Sequence, residues 1–334
     1  MTNAKRLVTR QSPIGITMGD AAGIGPEVIL KALDDRPGRV RIFGYRAVFE
    51  MEQEHLGTHV DLGMVEDVAE LPDRIAVGRV QKSCGIAAFQ SLEAGVVALR
   101  DQSISALVTA PVSKEALRLA GFRWPGQTEY LADRLGAEHT AMLAWTPRYK
   151  AVFVTIHLPL ALVAKHVTAE AVAEKALLLH EFLLREASGV KRPAFRPRLA
   201  VLALNPHGAE FSLGEEARIK AGVALARRRG ANAVGPIPAD AALASIAATR
   251  PLDYSTTGPL PAFDGFVAMY HDQAMIPAKL LGRDSGVNVT LGLGRVRTSP
   301  LHGTAFDIAG KGIADAGSMR AAIRLARELA RRGT

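Results

Sequence analysis

Three histidines stand where apolar runs give way to polar residues. His157 follows Lys150–Ile156, His207 follows Arg198–Leu204 within Asn205-Pro206-His207, and His271 follows Gly265–Tyr270 within His271-Asp272. Neutral imidazoles from separate strand ends can hold a borderline divalent ion and leave coordination positions open to oxygen ligands. Any one of them alone is more simply a hydrogen-bonded residue at a strand end. Together, flanked by Pro159, Pro206 and Asp272, they favour the ligand reading. His180-Glu181 lacks the second histidine of a His-Glu-x-x-His helix, so no local zinc pattern competes.

Other residues suit anions. Lys279, Asn288 and Arg297 lie downstream of His271, and lysine and arginine match phosphate and carboxylate, arginine through its planar fork. Each alone is also an ordinary surface residue. In Met18–Val28, Gly23 and Gly25 follow a strand and Pro26 opens a helix, so backbone amides can face an anion; a plain tight turn explains the segment as well. Position 28 is Val, so it is not a Gly-x-Gly-x-x-Gly fingerprint. The segment Leu301–Gly312 carries a His-Gly pair, small residues and an Asp before Ala-Gly-Lys-Gly. It reads either as a nucleotide-approaching loop with His302 near the adenine or ribose, or as a helix flanked by glycine turns.

The elements that must position these residues alternate. Strands are predicted at Pro13–Met18, Val40–Tyr45, Ala106–Thr109, Thr140–Trp145, Lys150–Ile156, Arg198–Leu204, Phe263–Tyr270 and Val287–Leu291. Helices are predicted between them at Pro26–Leu33, Ile86–Arg100, Ala169–Ala187, Glu215–Arg229 and Ser318–Arg332, with Thr168 and Ser318 as caps. Gly230–Pro261 reads as a loop around one short helix, Asp240–Ala248. This alternation predicts a mostly parallel sheet covered on both faces, in which ligands bind beyond the carboxyl ends of the strands.

Composition excludes several classes. With 334 residues, 48% apolar and 22% charged, the chain has the make-up of a large globular α/β protein. One cysteine, Cys84, rules out an internal disulfide or a cysteine-built zinc site, and its place before an apolar stretch marks it as a core residue. The net charge of +8 is spread out and carries no aromatic-interleaved basic stripe, so no nucleic-acid partner is expected. Met1–Ser12 has no apolar segment of a signal peptide, and the longest apolar run, Ala151–Ala164, is too short to span a bilayer. A cytoplasmic, membrane-free protein is expected.

Several motifs in order carry a resemblance. These are Pro125-Gly-Gln-Thr-Glu129, His157-Leu-Pro-Leu160, Asn205-Pro-His207, Gly235-Pro-Ile-Pro-Ala-Asp240, Met269-Tyr-His-Asp-Gln273, Gly286-Val-Asn-Val-Thr-Leu-Gly292 and Arg297-Thr-Ser-Pro-Leu-His-Gly303. Taken jointly they resemble the 4-hydroxythreonine-4-phosphate dehydrogenase family of vitamin B6 biosynthesis, from about Ile14 to the last helix. Gly19-Asp20, Gly23–Glu27 and His302–Lys311 are also similar to segments of isocitrate and isopropylmalate dehydrogenases, which use NAD without a Rossmann fingerprint.

The resemblance implies two α/β/α domains with a cleft between them. The expected cofactor-side domain is 1–130 with 285–334, and the metal, substrate and dimerisation domain is 131–284. It implies that His157, His207 and His271 hold one divalent ion (zinc, magnesium or cobalt), and that Gln127, Thr128, Lys279, Asn288 and Arg297 contact substrate. Gly292, His302, Gly303 and Asp307 are expected to contact NAD or NADP, and Lys279, Asp240 and Asp272, with Lys114, are the candidate acids and bases. A homodimer with sites built from both subunits is implied. So is oxidation of a small phosphorylated hydroxy-amino acid at its 3-hydroxyl, followed by loss of CO₂. A sister dehydrogenase of phosphorylated threonate-like acids and a non-redox, acyl-phosphate-handling protein are the alternatives. Gln127 stands where the family usually has His, Gly294–Arg297 replaces a more apolar segment, and Leu301 stands where Asp is common.

Overall fold

The computed structural model describes residues 12–34, 38–68, 74–188, 195–247 and 263–332. The expected tail up to Gln11 and residues 248–262 of the expected loop lie outside them. In chain order the strands are β1 (Ile14–Thr17), β2 (Val40–Gly44), β3 (Val65–Asp67), β4 (Ala106–Thr109), β5 (Ala141–Trp145) and β6 (Lys150–Phe153). They continue as β7 (Arg198–Leu202), β8 (Asn232–Ile237), β9 (Gly265–Ala268), β10 (Val287–Leu291) and β11 (Arg297–Pro300). The helices are α1 (Gly25–Asp34), α2 (Arg46–Leu56), α3 (Lys82–Arg100), α4 (Lys114–Leu119), α5 (Gln127–Leu135) and α6 (Leu160–His166). After them come α7 (Ala169–Ala187), α8 (Glu215–Arg228), α9 (Ala239–Ala247), α10 (His271–Leu281) and α11 (Gly317–Arg331). The chain is α/β, and among the described residues no helix is long and apolar enough to cross a membrane.

Two compact units emerge: residues up to Glu138 with Leu293–Arg332, and His139–Gly292. The changeovers follow pairing and packing. Helix α5 completes the first unit by burying Tyr130 and Leu131 against α3, while β10 pairs antiparallel with β5 and so belongs to the second.

In the first unit the strands run β3-β2-β1-β4-β11, all parallel. Helix α3 buries Ala88, Leu92, Val96 and Leu99 at helical spacing against Phe43, Leu107 and Leu117. Gly85 lets α4 approach: a Cβ there would sit 2.0 Å from the Ala116 carbonyl oxygen. Cys84 is fully buried, as expected of a core residue, and loss of water pushes its thiol up to about 11, which makes it a poor nucleophile.

In the second unit the order is β10-β5-β6-β9-β7-β8, parallel from β6 onward. Thr168 caps α7 as predicted, its hydroxyl accepting from the Ala171 N–H at 3.1 Å. The helix then buries Val172, Ala176, Leu179 and Leu183. Ser318 does not cap α11. Its Oγ instead accepts from the Leu301 N–H at 3.2 Å, and the helix begins at Gly317 without a side-chain cap. Three strands were not expected. β3 exposes two of its three residues, β8 carries Gly235-Pro236 on an edge, and β11 is polar and ends on Pro300. Each lacks the apolar alternation that marks a strand in sequence.

Candidate active site

The second unit places its histidines by register. β6, β9 and β7 are parallel and aligned through Val152, Val267 and Val201, so their carboxyl ends emerge together. Beyond them the Val154 N–H donates to Ala268 O at 2.8 Å, and the Thr155 hydroxyl donates to Met269 O at 2.7 Å. Gln273, buried on α10, joins two strand ends. Its Oε1 accepts from the Met269 N–H and its Nε2 donates to Ala203 O, both at 2.7 Å. Sequence reasoning did not single out Gln273, although it lies inside the Met269–Gln273 motif; a buried amide with both ends satisfied is a positioning device.

His157 and His271 are brought together, with ring centroids 5.9 Å apart and planes inclined by 37°. The His271 ring also stacks on Phe153 at 6.0 Å. The Asp272 Oδ1 lies 2.7 Å from His271 Nδ1. A carboxylate there accepts the Nδ1 proton, so Nε2 carries the lone pair a metal needs. A single ion about 2.0–2.1 Å from one nitrogen of each ring spans such a separation. Two imidazoles so placed are chemically suited to serve as two ligands of one divalent cation.

His207 sits differently. It adopts the left-handed conformation (φ +55°), ahead of the short turn Gly208–Phe211, with its ring 5.9 Å from Phe211. Its loop is held from α8, where Glu216 Oε1 accepts from the N–H groups of Leu204 and Asn205, both at 2.9 Å. Backbone hydrogen bonds, its own and that of the Leu213 N–H, hold the Glu215 carboxyl below the usual glutamate value. Among the described residues no three His, Cys, Asp or Glu side chains of one chain gather to hold a metal. Among the described residues, ring contact is seen between His157 and His271, and the His207 ring meets Phe211.

The other expected residues of this unit lie on or beside α9, α10 and β10. Asp240 is exposed in the first turn of α9. Lys279 is exposed on α10, yet the surrounding protein removes enough water from its ammonium to lower its pKa from the usual lysine value. Asn288, opposite Ala144, has a buried Oδ1 with no hydrogen-bond partner among the described residues. Gly292 has a backbone reason to be glycine: at φ +81° a Cβ would lie 1.9 Å from His139 O.

The first unit holds Gln127, Thr128, Arg297, His302, Gly303 and Asp307. Arg297 is 3% exposed, and its Nη2 donates to Thr109 Oγ1 at 2.6 Å. Burial pulls its guanidinium down to about 10, against the opposing pull of the Glu129 charge. A cation so buried is a strong attractor for an anion. Gln127 Nε2 donates to Ala110 O at 3.4 Å, and its buried Oε1 has no partner among the described residues. The amide cannot turn round, because a carbonyl only accepts; Oε1 is therefore fixed as an acceptor awaiting a donor. Thr128 is half-buried in the first turn of α5. The segment 302–312 is a succession of turns, closed by Ile308 and Ala309 N–H groups on Ala305 O, and not a helix. Gly303 is open, with nothing within 4 Å of a Cβ, and Asp307 is exposed.

Solved structures set the class. An α/β dehydrogenase structure, the 4-hydroxythreonine-4-phosphate dehydrogenase of Klebsiella pneumoniae, matches with a TM-score of 0.79 and 33% identity, over 96% of this chain and 99% of that one. Residues 30–326 match the family described as pyridoxal phosphate biosynthetic protein PdxA, and the chain belongs to that family. It is 39% identical to the 4-hydroxythreonine-4-phosphate dehydrogenase of Beijerinckia indica, covering 97% of this chain and 96% of the relative. It is also 37% identical to the D-threonate 4-phosphate dehydrogenase of Cupriavidus necator, covering 96% and 97%.

Proposed function

We propose that the chain oxidises 4-phosphooxy-L-threonine at its 3-hydroxyl with NAD or NADP. Decarboxylation of the resulting β-keto acid then gives 3-amino-2-oxopropyl phosphate, on the way to pyridoxal 5'-phosphate. The observation that carries this reading is the His157–His271 pair, with Nδ1 of His271 fixed by Asp272. When bound, a divalent ion such as zinc, magnesium or cobalt supplies Lewis acidity at the hydroxyl, and the nicotinamide supplies a hydride acceptor.

The chain's own residues do the rest. Arg297 and Lys279 bind the anionic ends of the substrate. Asn288 Oδ1 and Gln127 Oε1, both buried acceptors, take hydrogen bonds from its hydroxyl or ammonium. Asp272 is engaged with His271, so its part is to orient that ring. Lys279, whose ammonium loses water to the surrounding protein, is one candidate to take and return the hydroxyl proton. Asp240 is the further candidate for that proton. Gly292, His302, Gly303 and Asp307 line the nucleotide side, on turns whose glycines let backbone approach a ligand.

A homodimer completes the metal site. Each histidine is followed by exposed apolar side chains: Leu160 at 70%, Leu213 at 92% and Leu280 at 78% are the most open. Such side chains favour burial against another protein surface. A second copy supplies one, and its His207 supplies the ligand missing beside His157 and His271. Soluble assembly in the cytoplasm accords with this reading.

Neutralising Arg297 tests the anion contact. A charge-assisted hydrogen bond contributes roughly 1.5–3 kcal/mol, so Arg297→Met is expected to raise the KM for the phosphorylated substrate by about tenfold to a hundredfold. NAD affinity, measured by titration, stays within about twofold. Equal losses in both affinities contradict the assignment.

D-Threonate 4-phosphate is the second substrate to weigh, because relatives named for it are 37% identical over nearly the whole chain. Initial rates of NADH formation with the two phosphorylated acids decide between them. The expected result is a kcat/KM at least about tenfold higher for 4-phosphooxy-L-threonine, a discrimination of about 1.4 kcal/mol. The reverse preference assigns the threonate reaction.

A further inference from the structure

Two segments far apart in sequence meet in the first unit: the start of α1 and the turns of 302–312. Both ends of those turns are tied to α1. At the entry, the Ile24 N–H donates to Thr304 O at 3.0 Å, and a Cβ on Gly23 would lie 3.0 Å from Thr304. At the exit, Glu27 and Lys31, one helical turn apart, act on three backbone groups. Glu27 is 1% exposed, and its Oε1 accepts from the Ala314 N–H at 2.8 Å and from Lys31 Nζ at 2.7 Å. Lys31 Nζ also donates to the carbonyls of Gly312 at 2.9 Å and Ala314 at 3.0 Å. The ammonium therefore directs all three of its protons to fixed acceptors. Between the two ties, Ala305 is held at φ +43°, a conformation costly for a residue with a Cβ.

A surface ion pair one turn apart in a helix ordinarily contributes little. This one differs because one partner is buried and the pair shares its hydrogen bonds with a loop rather than with water. Glu27 cannot be solvated, and the loop's exit carbonyls take two of the three Lys31 protons.

We propose that Glu27 and Lys31 are positioning residues for the nucleotide. They clamp Gly312–Ala314 to α1 and so hold His302, Gly303 and Asp307 in the conformation that receives the cofactor. The inference rests on the reading of that loop as the nucleotide contact. Their effect passes through the backbone they fix. Loss of the clamp therefore loosens the loop and weakens the nucleotide, leaving the histidine pair of the second unit unaltered.

Lys31→Met and Glu27→Gln in the full chain, each compared with Lys31→Arg, test this by two readouts. Hydrogen–deuterium exchange over 302–314 reports the loop without any ligand. Titration with NAD and NADP reports affinity, beside the KM for the phosphorylated acid. In Lys31→Met, exchange over 302–314 is expected to quicken and nucleotide Kd to rise roughly tenfold, as for loss of a charge-assisted contact. The acid's KM stays within about twofold, and Lys31→Arg restores much of the affinity by keeping a cation that donates to carbonyls. Should Lys31→Met fold poorly, the isosteric Glu27→Gln carries the same comparison. Unchanged exchange and unchanged nucleotide Kd in a folded variant overturn the clamp, as does a parallel loss of both affinities. If the wild-type chain binds neither nucleotide, the reading of the loop falls, and the exchange data then show separately whether the clamp orders it.

Discussion

Replacing His271 with alanine is expected to abolish turnover while the chain stays folded. The ring is partly exposed and meets the rings of Phe153 and His157, so truncation removes little packing. What it removes is an imidazole whose Nδ1 is already committed to Asp272, leaving Nε2 to serve a cation. Lewis-acid stabilisation of developing charge supplies several kcal/mol, so the expected loss in kcat is about a thousandfold or more. Metal content, measured by elemental analysis of the purified variant, falls with it. Asp272→Asn keeps the ring but changes what holds it, and about a tenfold to hundredfold loss follows from that kind of change. Full activity in a metal-free His271→Ala protein contradicts the assignment.

The candidate positions are legible in the sequence because parallel strands are apolar runs that stop abruptly. Val152, Val201 and Val267 read as core, and the polar residues after each read as a ligand-facing edge. Less legible is what holds that edge in place. Gln273 and Glu216 look like unremarkable polar residues in helices, yet each ties loop backbone beyond a strand end. Their partners lie tens of residues away or across a loop, and no periodicity records such contacts. The same limit hid β11. Arg297 reads as a polar substrate residue, yet with Thr298 it forms a parallel strand against Leu107 and Val108. Ser318 shows the converse error, since a serine before an apolar helix has the pattern of a cap while its hydroxyl serves Leu301. The motifs at Gly23–Glu27 and at His302–Lys311 were visible separately; that α1 holds both ends of the second could be seen only in the fold. The His157–His271 pairing is readable in the sequence as shared chemistry but not as shared space.

That arrangement makes subunit exchange the most direct measurement. His271→Ala lacks one member of the pair, whereas His207→Gly lacks the histidine outside it. Glycine is chosen because position 207 lies at φ +55°, where glycine keeps the backbone at no steric cost. Each variant alone is expected to be inactive. Mixed under conditions that exchange subunits, heterodimers carry one site damaged twice and one site with all three histidines intact. The account predicts that activity reappears on mixing, approaching about one quarter of the wild-type rate at equal proportions, because random reassortment makes half the dimers mixed with one working site in each. Heterodimers verified by differential tagging that show no activity above either parent would contradict a metal site shared between two chains.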